Sequence, residues 1–349
     1  MLRLCFSLLL VIHGLIHIVG FTHEVSKPFG HLWLSVGLLL VVSGLLMYIK
    51  KETWWIAACL AIVASQLLII DMWQEAEWGT AVNIILLLAI VAGWGSWQFQ
   101  RTFLADTQTA MQRRHAHTPN VISEADLAHL PAPVQRYLRY VGVLNKPRVL
   151  SMRLTFEGKM REKGKKWFPL TSVQYNFFDS PERLFFMKGH MYGMDVPGYH
   201  RYAGGIARMD IKLFGLFPLV ASRGNTMNQA ETVTFFNDMC CLAPATLIDR
   251  RIQWIPIDEH NTKAVFTYAG NSISATLQFN EQDQLVKFFS NDRYDVADGQ
   301  QHRFSTPLSD YRSIDGYRMA TFAEATWHYP DGPFVYGEFN VKEVTYNVQ

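Results

Sequence analysis

Residues 4–21 read LCFSLLLVIHGLIHIVGF, an apolar stretch without a single Asp, Glu, Lys or Arg. An α-helix rises about 1.5 Å per residue, so a helix of this length just crosses the hydrocarbon core of a bilayer. Three further stretches of similar length, 32–49, 54–70 and 80–97, are equally free of those charges. A helix that is apolar on every side is typical of a membrane span, because a soluble helix needs a polar face. The sequence therefore predicts four transmembrane helices within residues 1–100.

Basic residues flank the predicted spans unevenly. Lys27 stands alone on one side of the membrane. The other side collects Arg3, Lys50, Lys51, Arg101, Arg113 and Arg114. Because Lys and Arg accumulate on the cytoplasmic side, we expect both termini in the cytoplasm and the protein in the inner (cytoplasmic) membrane of a bacterial cell.

A basic linker, 101–122, is expected to join the spans to a second domain. Ser123, followed by Glu124 and Asp126, has the pattern of a helix start. After Pro131 and Pro133, apolar residues follow helical spacing up to Gly142, which predicts a short amphipathic helix.

From Val149 onward the period of the sequence changes from helical spacing to two, which is typical of half-buried strands. Apolar side chains alternate with polar ones at Leu150, Met152, Leu154 and Phe156. Similar segments follow at 167–178, 183–192, 199–217, 263–268, 272–279 and 285–289. A closing antiparallel meander is expected over 294–311, 318–329 and 334–348.

One segment departs from this pattern, because residues 227–242 have helical spacing before Pro244. The sequence thus predicts an α+β membrane protein. Residues 1–100 are expected to form the four-helix transmembrane domain. Residues 123–349 are expected to form a curved antiparallel β-sheet, half-barrel-like, with one or two covering helices.

Several classes of function leave no mark in the sequence. A formal net charge of +2 without a basic stripe argues against a nucleic-acid partner. Neither a glycine-rich phosphate loop nor G-x-S-x-G nor H-E-x-x-H occurs. We therefore predict no catalytic residue and no cofactor. An enzyme would need a dispersed acid–base set, for which the candidates are His190, Asp195, His200, Asp210 and Glu231.

Aromatic residues of the β-rich half indicate either a packed core or the lining of a cavity for a membrane lipid or another apolar molecule. Charged residues beside them would bridge a helix to the sheet or anchor a lipid headgroup. The predicted ligand-binding residues are Trp167, Tyr175, Tyr199, Phe217, Arg223, Glu231, Tyr311 and Trp327.

Two histidines of the first predicted span, His13 and His17, lie four residues apart and so share a helix face. Together with His31 they are candidates for a metal site, and they favour a membrane redox or metal-dependent enzyme as the alternative function. The other interpretation is hydrogen bonding between helices, in which Gln66 and Asn83 would take part.

Four segments resemble an uncharacterised bacterial membrane protein family of unknown function. They are HGLIH at 13–17, WGTAVN at 78–83, LPAPVQRYLRYVGV at 130–143 and the predicted helix at 227–247.

The terminal meander, with DGYR at 315–318 and the strand at 334–347, is similar in pattern to the lipoprotein-localisation (LolA/LolB) half-barrels, which bind acyl chains. That resemblance implies a half-barrel with an apolar ligand. Those proteins work in the periplasm or at the outer membrane, whereas the charge bias directs this domain towards the cytoplasm.

Overall fold

The computed structural model describes residues 2–24, 30–113, 120–191 and 193–348. Lys27 and Arg114, which contribute to the predicted orientation, lie outside them. Helices precede a curled antiparallel sheet of thirteen strands, which confirms the predicted α+β class. Contacts divide the chain into two compact units. The first comprises Met1–Thr102, His190–Pro197 and Lys212–Pro218, and the second comprises Phe103–Gly189, Gly198–Ile211 and Leu219–Gln349.

The helices of the N-terminal part are α1 (Leu2–Glu24), α2 (Gly30–Tyr48), α3 (Trp54–Asp71), the short α4 (Trp73–Ala76) and α5 (Gly79–Gln112). Among the described residues, α1, α2, α3 and α5 are long and apolar enough to cross a membrane, and each corresponds to one predicted span. Helix α5 continues through residues 101–112, where the sequence predicted the start of a linker. No Pro or Gly interrupts residues 98–112, so nothing there ends the helix.

Two short helices introduce the β-rich part, where the sequence predicted a helix start at Ser123 and one amphipathic helix. The first, α6 (Glu124–Leu127), starts with a capping box between Ser123 and Asp126. The second, α7 (Ala132–Val141), ends at Gly142, whose φ of 84° is the left-handed conformation that glycine adopts without strain.

The strands form one sheet in the order β6-β5-β4-β3-β2-β1-β13-β12-β11-β10-β9-β8-β7. They are β1 (Ser151–Met160), β2 (Phe168–Phe177), β3 (Glu182–Met191), β4 (Met194–Ala203), β5 (Ile206–Leu213), β6 (Phe217–Arg223), β7 (Ile252–Pro256), β8 (Asn261–Tyr268), β9 (Asn271–Phe279), β10 (Leu285–Tyr294), β11 (Gln301–Ile314), β12 (Tyr317–Tyr329) and β13 (Gly332–Tyr346). The first and last strands pair in the middle, with Met152 opposite Tyr346. The predicted meander of the last three strands is confirmed.

The prediction of one extended segment at 199–217 was wrong, because β4 and β5 divide it. Gly204 and Gly205 form the turn between them, with φ of 60° and 79°, values that other residues rarely adopt. The alternation of side chains resumes directly after this pair, so periodicity alone could not reveal the turn. Strand β7, at one edge of the sheet, was also missed.

The predicted helix at 227–242 is α8 (Asn225–Cys241), followed by a 3₁₀ helix at Pro244–Ile248. We call the face of the sheet that contacts α8 the inner face, and the opposite face the outer face. Phe236 stacks on Phe266 at 5.4 Å between ring centroids and lies 6.0 Å from Phe288. Tyr137 of α7 donates a hydrogen bond to the carbonyl oxygen of Cys240 (3.0 Å), so α7 and α8 share one hydrophobic core.

Glycines allow α1 and α2 to pack closely. A Cβ atom at Gly14 would lie 2.6 Å from the carbonyl oxygen of Gly37, and one at Gly37 would lie 2.7 Å from the carbonyl oxygen of Gly14. A Cβ at Gly44 would meet the carbonyl oxygen of Ser7 at 2.8 Å. Small residues at such crossings are a usual means of helix association in membranes.

The substitution Gly37→Val should therefore push α1 and α2 apart. We expect it to destabilise the detergent-solubilised chain by about 2 kcal/mol, the usual cost of overpacking, seen as a lower melting temperature. The matched control is Leu38→Val on the same helix, where the side chain is 51% exposed. Equal melting temperatures of the two variants would contradict the close α1–α2 contact.

Candidate functional site

The inner face holds a buried ion cluster. Glu231 and Asp238 of α8 are seven residues, about two turns, apart and therefore share a helix face. Arg183 of β3 lies between them and donates from Nη1 to Glu231 (3.1 Å) and from Nε to Asp238 (2.8 Å). All three side chains are less than 10% exposed. An Arg–Glu bridge between helix and sheet, one of the two alternatives left open by the sequence, is thus present at Glu231, and its arginine is Arg183.

Amides and one imidazole complete this cluster. Gln174 and Asn176 of β2 each donate to Asp238, at 2.7 and 2.9 Å, and Gln174 also accepts from Arg183. His200 of β4 places its Nδ1 3.6 Å from Glu231.

Burial and ion pairing act in opposite directions on the two carboxyl groups. Burial opposes the charged form of Glu231, but the charge of Arg183 outweighs it and, with His200 and Arg293, lowers the pKa of Glu231 to about 2. Burial raises the pKa of Asp238, and Arg183 offsets this only in part. The cluster is therefore built to keep Glu231 ionised.

A patch of aromatic rings lies on the inner face of β11–β13. Thr306 of β11 accepts a hydrogen bond from Asn237 of α8, so the side chain of Phe304, two residues away, also points to the inner face. Trp327 of β12 is directly opposite Phe304, with ring centroids 5.4 Å apart. Tyr336 stacks on Trp327 at 5.9 Å and Tyr329 lies 6.5 Å from it. Phe304, Trp327, Tyr329 and Tyr336 are called the aromatic patch below.

Arg293 of β10 lies across the aromatic patch. Its Cζ is 4.1 Å from the ring centroid of Phe304 and 5.0 Å from that of Trp327. Its Nη1 donates to the hydroxyl of Tyr336 (2.8 Å). Guanidinium groups are attracted to aromatic faces in this geometry.

Tyr175 and Tyr199 lie on the outer face instead. Both rings contact Phe103 of α5, at 6.1 and 5.6 Å between centroids. The hydroxyl of Tyr199 donates to Asp106 of α5 (2.8 Å), and burial together with this carboxylate raises the pKa of Tyr199. These two predicted ligand residues therefore hold the last turns of α5.

The other predicted ligand residues are dispersed. Trp167 lies beneath Arg161, whose Cζ is 4.4 Å from the ring. Arg223 is exposed and pairs with Asp210 at 3.0 Å. Tyr311 donates to the carbonyl oxygen of Leu285 (2.8 Å) near α7, and Phe217, in the first unit, is 62% exposed. Of the eight residues, Tyr175 and Tyr199 meet at Phe103 on the outer face, whereas Trp327 lies 5.0 Å from Arg293, whose charge also acts on Glu231.

The dispersed acid–base set does not come together. His190 places its Nδ1 3.0 Å from Asp195 in the first unit, His200 faces Glu231, and Asp210 faces Arg223.

The histidines of α1 take part in hydrogen bonds between helices. Nε2 of His17 is 2.8 Å from the hydroxyl of Ser65, and Nε2 of His13 is 3.1 Å from Oδ1 of Asn83. Asn83 also donates to Gln66 (3.1 Å), so the expected bonding between helices is present. His31 packs on Phe21. In the part of the chain that the structure describes, no group of three or more His, Cys, Asp or Glu side chains is placed to hold a metal ion.

A polar cleft of about 360 Å³ opens beside α6 and the 3₁₀ helix. Its charged lining includes His129, Arg148, Arg250 and Arg251 with Asp126 and Asp249. Arg148 pairs with Asp126 and Arg251 with Asp249, so much of this charge is already balanced. None of the predicted ligand residues lines the cleft.

The sequence interpretation missed Arg183, Asp238, Arg293 and Tyr336. A usable signal existed for the first two. Glu231 and Asp238 repeat at two helical turns in a segment predicted to cover the sheet, so a buried basic partner was required. Arg183 directly precedes the apolar run 184–187 of a strand. For Arg293 and Tyr336 the sequence offers no comparable signal, since each lies beside a bulge in its strand.

Residues 120–339 match a family described as a family of unknown function (DUF6544). The chain belongs to this family. The DUF6544 match runs from α6 to the middle of β13, so it includes the ion cluster, Arg293 and the aromatic patch. It confirms the resemblance to a family without an assigned reaction. A comparison with curated proteins finds no match.

Solved structures that match part of this chain include lipoprotein-sorting domains. A putative outer membrane lipoprotein-sorting protein domain from Vibrio parahaemolyticus is 11% identical, with a TM-score of 0.37 over 57% of this chain and 86% of that chain. A LolA superfamily protein from Nitrosomonas europaea is 10% identical, with a TM-score of 0.37 over 62% and 94%. A β-barrel-like protein of unknown function from Brucella abortus is 8% identical, with a TM-score of 0.19 over 58% and 99%.

The ion cluster predicts a stability that depends on pH. Glu231 has a pKa of about 2 in the folded chain against an ordinary value of 4.5. Its contribution is therefore complete above pH 4.5 and is lost as the pH falls towards 2, a change of about 3 kcal/mol. Glu231→Gln should lower the free energy of unfolding at pH 7 by about 3 kcal/mol and lose less stability below pH 4.5. Denaturant unfolding of the detergent-solubilised chain measures both effects.

Asp238, whose pKa shift has the opposite sign, is present in both the unsubstituted chain and the Glu231→Gln variant. The difference in unfolding free energy between these two proteins therefore isolates the contribution of Glu231. The control is Glu343→Gln, which removes an exposed pair with Arg153 and should cost less than about 1 kcal/mol. Equal decreases in the free energy of unfolding for Glu231→Gln and Glu343→Gln would show that the buried bridge does not stabilise the fold.

Proposed function

We propose that this chain is an integral membrane protein whose β domain, residues 123–349, binds an apolar, lipid-like ligand on the aromatic patch. The aromatic patch carries the proposal, because it is a group of rings on the inner face next to the start of α8. The four apolar helices supply the membrane anchor.

The surface of the N-terminal helices supports the membrane part of the proposal. Large apolar side chains are 51–66% exposed on these helices, among them Leu8, Ile16, Leu60, Leu67 and Leu88. A soluble monomer rarely exposes a continuous apolar surface of this extent, whereas lipid tails cover it without cost.

The packing around α8 supports the position of the ligand. Along most of its length α8 fills the inner face, where Phe235 and Phe236 are completely buried. The N-terminal turns of α8 lie beside β10, since Gln229 donates a hydrogen bond to the carbonyl oxygen of Asp292 (2.8 Å). The next residue along β10 is Arg293, which lies across the aromatic patch, and Tyr329 and Tyr336 of this patch are only half-buried.

The distribution of basic residues supports a cytoplasmic position for both termini. Lys50 and Lys51 lie between α2 and α3, and Arg101 follows the span of α5, on the side that also has Arg3. In a bacterial host, green fluorescent protein fused to the C-terminus should therefore fluoresce, because it folds in the cytoplasm. Alkaline phosphatase fused at the same position should be inactive. An active phosphatase fusion would show that the C-terminus lies outside the cytoplasm and would contradict the proposed orientation.

Ligand binding is tested by photolabelling. The full chain is placed in nanodiscs of phosphatidylcholine with a trace of a phospholipid that carries a diazirine on its acyl chain. We expect label on peptides from β11–β13 as well as on α1–α5. Tyr336→Ala should reduce the β11–β13 label about fivefold, because an aromatic contact contributes on the order of 1 kcal/mol.

Phe289→Ala is the matched control. Phe289 is also half-buried, but it lies opposite Ser305 on the outer face, beneath Arg303. Label confined to α1–α5 in the unsubstituted chain would refute the proposed ligand site.

A further inference from the structure

Arg293 differs from Arg183, which also lies on the inner face, in having no charged partner in the described part of the chain. Arg183 donates to two carboxylates and to Gln174. Among the described residues, no carboxylate lies within 4 Å of the Arg293 guanidinium, which makes one hydrogen bond, from Nη1 to Tyr336. Its Nε is buried and lacks an acceptor. A buried donor without an acceptor costs free energy and calls for an explanation.

The carboxylates near Arg293 are engaged by other groups. Asp295 accepts from the hydroxyl of Tyr329 (2.5 Å), and Asp298 lies 2.7 Å from Nε2 of His302. Glu231 is bound by Arg183 and reaches Arg293 only as a more distant charge. Within the residues that the structure describes, no partner neutralises Arg293 directly.

We infer that Arg293 binds an anionic group of the ligand, a carboxylate or a phosphate, while the attached apolar chain lies on the aromatic patch. This rests on the proposed function and names the class of ligand, an anionic amphiphile. A guanidinium offers a planar edge that binds two oxygens of such a group at once. The rings of Phe304 and Trp327 beside it suit the first carbons of the chain.

The test compares diazirine-labelled amphiphiles in nanodiscs of phosphatidylcholine. A fatty acid is compared with the fatty alcohol of equal chain length, and a phosphatidic acid with the matching diacylglycerol. For at least one pair, we expect about tenfold more label on β11–β13 from the anionic member, since hydrogen bonds to charged groups are the stronger ones. The pair that shows the difference identifies carboxylate or phosphate as the recognised group.

Arg293→Gln should abolish this preference, so that the anionic and neutral members label β11–β13 equally, and this remaining label shows that the variant is folded. Arg293→Lys should retain part of the preference because it keeps the charge. The matched control is Arg303→Gln, since Arg303 lies over Phe289 at 4.3 Å on the outer face.

The outcomes separate the two claims. In the unsubstituted chain, equal labelling of β11–β13 by the charged and neutral members of both pairs overturns the role of Arg293 but leaves a lipid site in place. An unchanged preference in Arg293→Gln does the same. Absence of label from β11–β13 with every probe refutes the proposed function itself.

Discussion

The guanidinium of Arg183 fixes α8 in the curled sheet. Apolar burial alone would not define the rotation of this helix, because buried residues occur around most of its circumference, from Met227 to Cys241. A buried charge, in contrast, must meet its partner, and breaking such a pair costs several kcal/mol. With Glu231 and Asp238 two turns apart, one arginine sets both the rotation and the axial position of α8.

The position of α8 determines where the inner face is left without a helix. Gln229 reaches the backbone of Asp292, so Arg293 is the next residue along β10 and lies beyond the first turns of α8. The aromatic rings around it are thus part of the hydrophobic core on one side, yet Tyr329 and Tyr336 remain half-buried on the other.

The sequence allowed prediction of the fold but of little of the site. Periods of two and 3.6 residues are local properties, so the apolar spans, α7, α8 and the terminal meander could be recognised. Alternation shows that successive side chains point to opposite faces, but not which face is the inner one. Tyr175 and Trp327 both alternate with their neighbours, yet Tyr175 contacts Phe103 on the outer face and Trp327 contacts Phe304 on the inner face. That difference depends on α5 and α8, which are distant in sequence from those strands.

Strand β4 connects these two helices through adjacent residues. Tyr199 donates to Asp106 of α5 on the outer face, and His200 faces Glu231 of α8 on the inner face. On β3, Phe186 contacts Phe103 of α5 while Arg183 holds α8. A strand is a single layer of backbone, so a displacement that changes one set of contacts also changes the other. The ion cluster and the last turns of α5 therefore contact opposite faces of the same two strands, β3 and β4.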